Sequence, residues 1–188
     1  MKRFFGSRIL HVLNAAAFAG LLATAAHAQN PDVGGAAMFE EKNIVENAVN
    51  SADHTTLVAA VQAAGLVETL QSPGPFTVFA PVNAAFEALP AGTVEMLLKP
   101  ESKDTLTKIL TSHVVAGKWS AADIIKAARR GGGFYHFQAV SGDALSAKVV
   151  GGKVYIFDES GNAALVTIAD VNQSNGVIHV IDKVLLPK

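Results

Sequence analysis

The hydrophobic period of the chain changes once, near Gly131, and the change separates a helical half from a stranded half. Before it, apolar residues recur three and four positions apart. Leu57, Val58 and Val61 share one face of a helix that Asp53 can cap and Gly65 ends. A short apolar helix follows over residues 66–70. Ser102 opens another, with Leu106, Ile109 and Leu110 as its inward stripe. Ser120 opens a third, where Asp123 three residues on supplies a capping box. That helix ends at Arg129-Arg130-Gly131, and the basic pair suits the negative end of the helix dipole.

After Gly131 the period is two. Residues 134–140, 145–150, 153–158, 164–171 and 177–182 read as strands, rich in Val, Ile and aromatics and separated by Gly, Asn, Asp and Ser. Gly151-Gly152 has the spacing of a tight hairpin, and Asn175-Gly176 reads as a second turn that needs positive φ. Residues 76–80, enclosed by Pro75 and Pro81, form the one early strand able to join this sheet. The predicted fold class is α+β: N-terminal helices packed on a mainly C-terminal sheet that one early strand completes.

The first residues follow a different logic. Lys2, Arg3 and Arg8 precede an apolar, small-residue run over 9–26, and Ala26-His27-Ala28 is a small-x-small site before Gln29. This reads as a signal peptide cleaved between Ala28 and Gln29. His11, Asn14 and Gly20 dilute the run, and no basic stop-transfer flank follows it, which argues against a permanent anchor. The expected domain organisation is a signal peptide over 1–28, a flexible lead over 29–42, and one domain over 43–188. The expected location is the periplasm or the exterior, with no stable membrane insertion after cleavage.

Without residues 1–28, 12 Lys and Arg face 16 Asp and Glu, a balance of −4. Nucleic acid and anionic lipid call for clustered positive charge, so neither is an expected partner. Cysteine is absent, which excludes disulfides, thiolate metal sites and a cysteine nucleophile. The hydrophobic core alone must hold the domain.

Two blocks and a middle segment carry a resemblance. GPFTVFAP followed by Asn83, Ala84, Ala85 and Phe86 is similar to the first signature block of the fasciclin (FAS1) domain, in which a central strand runs into a capped helix. NGVIHVIDKVLLP, at 175–187, resembles the second block. LTSHVVAGKW, at 110–119, resembles the Tyr-His motif between them, and LPAGTVEMLLKP, at 89–100, the loop and helix before that motif. Val82 stands where the first block often has Thr, and Ser112 where the motif usually has Tyr. The resemblance spans 43–188 and implies an exported single-domain binding or adhesion module, non-catalytic, with a protein or extracellular glycan partner. It implies a monomer or weak homo-oligomer and no cofactor. Since the family associates that Tyr with adhesion in animal members, Ser112 weakens the transfer of the role to this chain.

The candidate contact residues lie between the blocks: Ser112, His113, Trp119, Phe134, Tyr135 and His136. His113 reads either as a contact residue or as a buried histidine donating to a backbone carbonyl. Trp119, after Gly117-Lys118, plugs the core or decorates the surface. In Phe134-Tyr135-His136-Phe137, alternation puts Phe134 and His136 on one face and Tyr135 and Phe137 on the other. His54 falls at a helix start and reads as exposed, while His179 within VIHVI reads as a hydrogen-bonded interior residue.

Other chemistry finds little support. No His pair has zinc spacing and no calcium-loop pattern occurs, although Asp158, Glu159, Asn162 and Asp170 gather oxygens near one turn. No Gly-x-Ser-x-Gly, Walker or dinucleotide motif is present. Two alternatives stay open. One is a carrier that holds a small apolar ligand between helices and sheet, marked by an enclosed apolar cavity. The other is a serine hydrolase using Ser112 and His113 with an acid such as Asp123.

Overall fold

The computed structural model describes residues 30–188, so the signal-peptide reading and its Ala28–Gln29 cleavage site lie outside the described residues. Among the described residues, seven α-helices and seven strands follow in chain order. The helical half comprises α1 (Ile44–Ala48), α2 (Thr55–Ala64), α3 (Val67–Gln71), α4 (Asn83–Glu87), α5 (Thr93–Leu97), α6 (Lys103–Ser112) and α7 (Ala121–Arg130). The strands are β1 (Phe76–Pro81), β2 (Val114–Ala116), β3 (Phe134–Gln138), β4 (Ala144–Val150), β5 (Lys153–Phe157), β6 (Ala163–Gln173) and β7 (Gly176–Ile181).

The sheet runs β2-β1-β7-β6-β5-β4-β3. Only β1 and β7 pair in parallel, and every other neighbour is antiparallel. A bridge between Val115 and Ala139 brings the two ends together, so the sheet is nearly a barrel. The parallel pair joins the two signature blocks in register, from Phe76 opposite Gly176 to Pro81 opposite Ile181. Parallel pairing needs a long connection, which the chain between β1 and β7 supplies.

Alternation on β1 and β7 sorts side chains into two cores. Val78, Ala80, Ile178 and Val180 pack against Leu57, Val61, Leu106 and Leu110 of the helical layer. Phe79 and Ile181 turn inward, with Phe137, Leu145, Ile156 and Leu185, and Ile124 of α7 packs with them. Every residue of β7 is therefore buried, which explains the unbroken apolar run VIHVI. Burial of each such large side chain stabilises by roughly 1.5–3 kcal/mol.

Several local expectations change. Residues 30–42 are not a flexible lead, because Val33 and Met38 are buried. Asn30 exchanges two hydrogen bonds with the backbone of Asn172, at 2.7 and 2.8 Å. Buried Asn47 holds both the N–H and the carbonyl of Phe39 and also bonds Gln173. These amide pairs replace the apolar period that this stretch lacks.

Asn175 and Gly176 are both outside the positive-φ set, which corrects the turn reading. Asn175 is needed for its side chain: its Oδ1 accepts the N–H of Ile44 at 3.1 Å, and its Nδ2 donates to Leu70 and Ser72. Gly176 is needed for space, since a Cβ there would stand 2.1 Å from the Phe76 carbonyl oxygen.

Helix capping is also redistributed. Asp53 makes no cap; a 3₁₀ turn over Ala52–His54 precedes α2. Asn83, in the block where the family caps its own helix, instead accepts the N–H of Thr56 at 3.0 Å and caps α2. Val82 is the N-cap of α4 and, having no side-chain acceptor, forms no cap bond. Ser102 likewise makes no cap bond at α6. The Ser120–Asp123 capping box of α7 is present on both sides. His54 is buried, with 3% of its surface exposed, where the sequence suggests exposure.

Candidate functional site

Residues 117–120, between β2 and α7, are fixed by two buried side chains from the sheet, Thr77 and His179, and a third sheet residue, Asp170, holds the start of α7. Thr77 Oγ1 donates to the Gly117 carbonyl at 2.7 Å and accepts the Trp119 N–H at 2.9 Å. His179 Nε2 donates to the Trp119 carbonyl at 2.7 Å, and its Nδ1 accepts the Asp170 N–H at 3.3 Å. Burial lowers the His179 pKa, against the opposing pull of the Trp119 carbonyl and Asp170, so the ring is neutral with the proton on Nε2. Asp170 Oδ1 accepts the N–H of Ala121, in the first turn of α7, at 2.7 Å. Asp170 is the one non-glycine residue with left-handed φ (60°) among the described residues, at an irregularity in the β6–β7 ladder. Asp tolerates that conformation better than most residues, and here it aims a carboxylate at a helix N-terminus.

The clamped loop presents one aromatic ring. Trp119 is half-buried, tilted against Tyr135 at 5.1 Å and edge-on to Phe137 at 5.5 Å, while Tyr135 and Phe137 lie 4.8 Å apart. Phe137 continues inward to Phe79 at 6.1 Å, and Phe79 stacks on His179 at 5.8 Å. An aromatic chain thus runs from the buried His179 to the surface. Beside Trp119 lies an open groove of about 390 Å³, lined by Lys118, Lys126 and Arg130 with Asp123. Hydrogen bonds from the Ser120 hydroxyl and backbone hold the Asp123 carboxyl below its ordinary pKa.

The six sequence candidates separate into three places. Trp119 and Tyr135 share the aromatic cluster. Phe134 and His136 occupy the other face of β3, where Lys148 Nζ sits 4.8 Å above the Phe134 ring and His136 Nδ1 pairs with Ser146 Oγ at 2.8 Å. Ser112 and His113 are buried, which corrects the contact reading of Ser112 and leaves, of the two readings of His113, the buried histidine that donates to a backbone carbonyl. Ser112 Oγ donates to the Ile109 carbonyl at 2.6 Å. His113 Nδ1 donates to the same carbonyl at 2.7 Å, and its Nε2 accepts the N–H of Leu185 at 2.9 Å. Burial depresses its pKa to about 4, against opposing effects of the Ile109 carbonyl and Asp158.

The hydrolase alternative loses its geometry with these bonds. Ser112 and His113 are both engaged by backbone groups, and Asp123 is engaged by Ser120, so the three form no relay. The oxygen cluster dissolves as well. Asp158 accepts from Asn162 and Leu186, Glu159 from Ala144, and Asp170 from Ala121. Among the described residues, no group of three or more His, Cys, Asp or Glu is placed to hold a metal. No helix among them is long and apolar enough to cross a membrane.

Sequence reasoning misses Thr77, Asp170 and the grouping of Lys118, Lys126 and Arg130. Thr77 and Asp170 act through the tertiary fold and carry no local motif. His179 is the exception, since a polar ring inside VIHVI already marks a satisfied interior group.

The Fasciclin domain model matches residues 52–187. Protein sll1483 of Synechocystis sp. is 53% identical over 152 residues, covering 81% of this chain and 77% of the relative. Immunogenic protein MPB70 of Mycobacterium bovis is 37% identical, over 74% of this chain and 66% of its own. A FAS1 domain pair from the insect cell adhesion molecule fasciclin I superposes with a TM-score of 0.69, over 77% of this chain and 51% of that one. At 19% identity that likeness concerns the fold alone. The matching model, the identities and the shared architecture together place the chain in the fasciclin domain family.

Proposed function

We propose that this chain is an exported, non-catalytic binding module that takes a protein or extracellular glycan partner at the Trp119 groove. One observation carries the reading. The backbone of Trp119 is held from both sides by Thr77 and His179, while its indole stays at the surface beside Lys118, Lys126 and Arg130. A pre-ordered aromatic anchor loses little conformational entropy on binding, and aromatic and cationic groups are common interface anchors. The three cations favour acidic groups on the partner, in a domain whose overall balance is negative. The indole face suits an apolar ring face or a side chain stacked on it.

Export is supported by the basic and apolar opening of the sequence, and by a relative named cell surface glycolipoprotein MPB83, 36% identical. An adhesive role is supported by the fold neighbour, which comes from a cell adhesion molecule. The test is capture of partners from an envelope extract by the domain starting at Gln29. A folded Trp119→Ala/Lys126→Glu variant should lose the captured species. Retention of the same species by that variant removes the groove from consideration.

A further inference from the structure

The helical layer contains a cavity that shares no lining residue with the Trp119 groove. It lies between α1, α2 and α3 and the outer face of β1 and β7, with a volume of about 110 Å³. Met38, Ile44, Leu57, Val61, Val78 and Ile178 are among the residues of its wall. Protein interiors seldom leave voids much larger than a water molecule. An aliphatic cavity of about 150 Å³ stays dry and accepts a single benzene ring, so this volume suits a molecule of similar or smaller size.

One polar residue interrupts the wall. His54 has 3% of its surface exposed and shares a hydrogen bond with Ser51 Oγ through Nδ1, at 2.8 Å. Its Nε2 is buried and makes no hydrogen bond of good geometry, although the Ala80 carbonyl lies near enough to oppose the lowering of its pKa by burial. A buried ring nitrogen left unpaired is costly, and such groups call for an explanation. Gln62, Thr69 and Val140 line the same cavity and are exposed, so its wall reaches the surface.

We infer that this cavity binds a small, mainly apolar molecule of about one ring carrying a single hydroxyl, which completes the hydrogen bonding of His54 Nε2. A hydroxyl both donates and accepts, so it serves either tautomer of the ring. The apolar remainder fills the space between α2 and β1. The site is independent of the Trp119 groove, and loss of one leaves the other intact.

Phenol and toluene, titrated separately into the domain starting at Gln29, test the assignment by methyl NMR. Phenol should shift the methyls of Val61, Val78 and Ile178 saturably and bind at least tenfold more tightly than toluene. Val58→Phe, which places a ring at the cavity wall, should weaken phenol at least tenfold, and His54→Phe should abolish the preference for phenol over toluene. Two results overturn the site: no saturable shift of those methyls with either probe, or undiminished phenol binding by Val58→Phe. Equal affinity of the unmodified domain for both probes overturns the hydroxyl assignment.

Discussion

His113 Nε2 accepts the backbone N–H of Leu185 at 2.9 Å, tying the end of α6 to the chain that follows β7. The residue that looks most like a recognition group is thus a fastener between the two halves of the domain.

That bond needs a neutral ring, and this sets a pH dependence. The folded pKa is about 4, below the ordinary 6.5, so the unfolded chain takes up the proton first as pH falls. Stability should be fully present above pH 6.5 and lost between 6.5 and 4, at about 1.4 kcal/mol per pH unit from this residue. His179 and His54 are lowered in the same direction and steepen the fall. Urea midpoints at pH 7.5, 5.5 and 4.5 check it; a flat series contradicts it. His113→Phe should cost about 2–4 kcal/mol at pH 7 and make the pH dependence shallower.

The contact between Gly176 and Phe76 allows no side chain. Gly176→Ala should cost more than about 3 kcal/mol, since the added carbon meets backbone 2.1 Å away. Gly152→Ala, at φ 79° in open space on the β4–β5 hairpin, should cost only about 1 kcal/mol. Denaturant unfolding of the two variants gives the comparison, and equal losses would refute the close-approach account.

Asn175 links three helical-layer backbone groups to the start of β7. Asn175→Ala should therefore lower stability by about 2–4 kcal/mol and accelerate amide exchange selectively over Ile44–Ala48. Uniform acceleration across the domain would show that the linkage is not local.

Asp170 is expected to matter through the acceptor it offers Ala121 rather than through its charge. Asp170→Asn keeps an acceptor and tolerates left-handed φ, so stability should stay within about 0.5 kcal/mol. Asp170→Ala should cost about 1–3 kcal/mol and weaken partner capture through the loosened Trp119 loop. Full capture by a folded Asp170→Ala protein would disconnect the clamp from binding.

Mass spectrometry of the protein recovered from the envelope should find Gln29 at the N-terminus. An intact Met1 there would replace the signal peptide with an anchor.

The apolar period made the α+β class and most elements legible, because burying one face of a helix or strand leaves a local trace. The strand ending in Pro81, the α7 capping box and the Gly151-Gly152 hairpin are all written within a few residues. Asn83 and Asn175 show the limit. Each has the composition of a local cap or turn, yet each spends its amide on a helix remote in sequence. The packing of residues 30–42 was invisible for the same reason, since Asn30 is held by β6, Phe39 by Asn47, and the buried Val33 and Met38 show no period.

The sequence by itself determined the family, the change of period and the commitment of both signature blocks to the core. Only the tertiary structure decided which of the candidate residues reach the surface. Burial took Ser112 and His113 out of reach, and packing brought Trp119 against Tyr135 and Phe137. Thr77 and His179 hold the backbone of Trp119 and Asp170 that of Ala121, and those contacts exist only once the sheet has curved almost into a barrel.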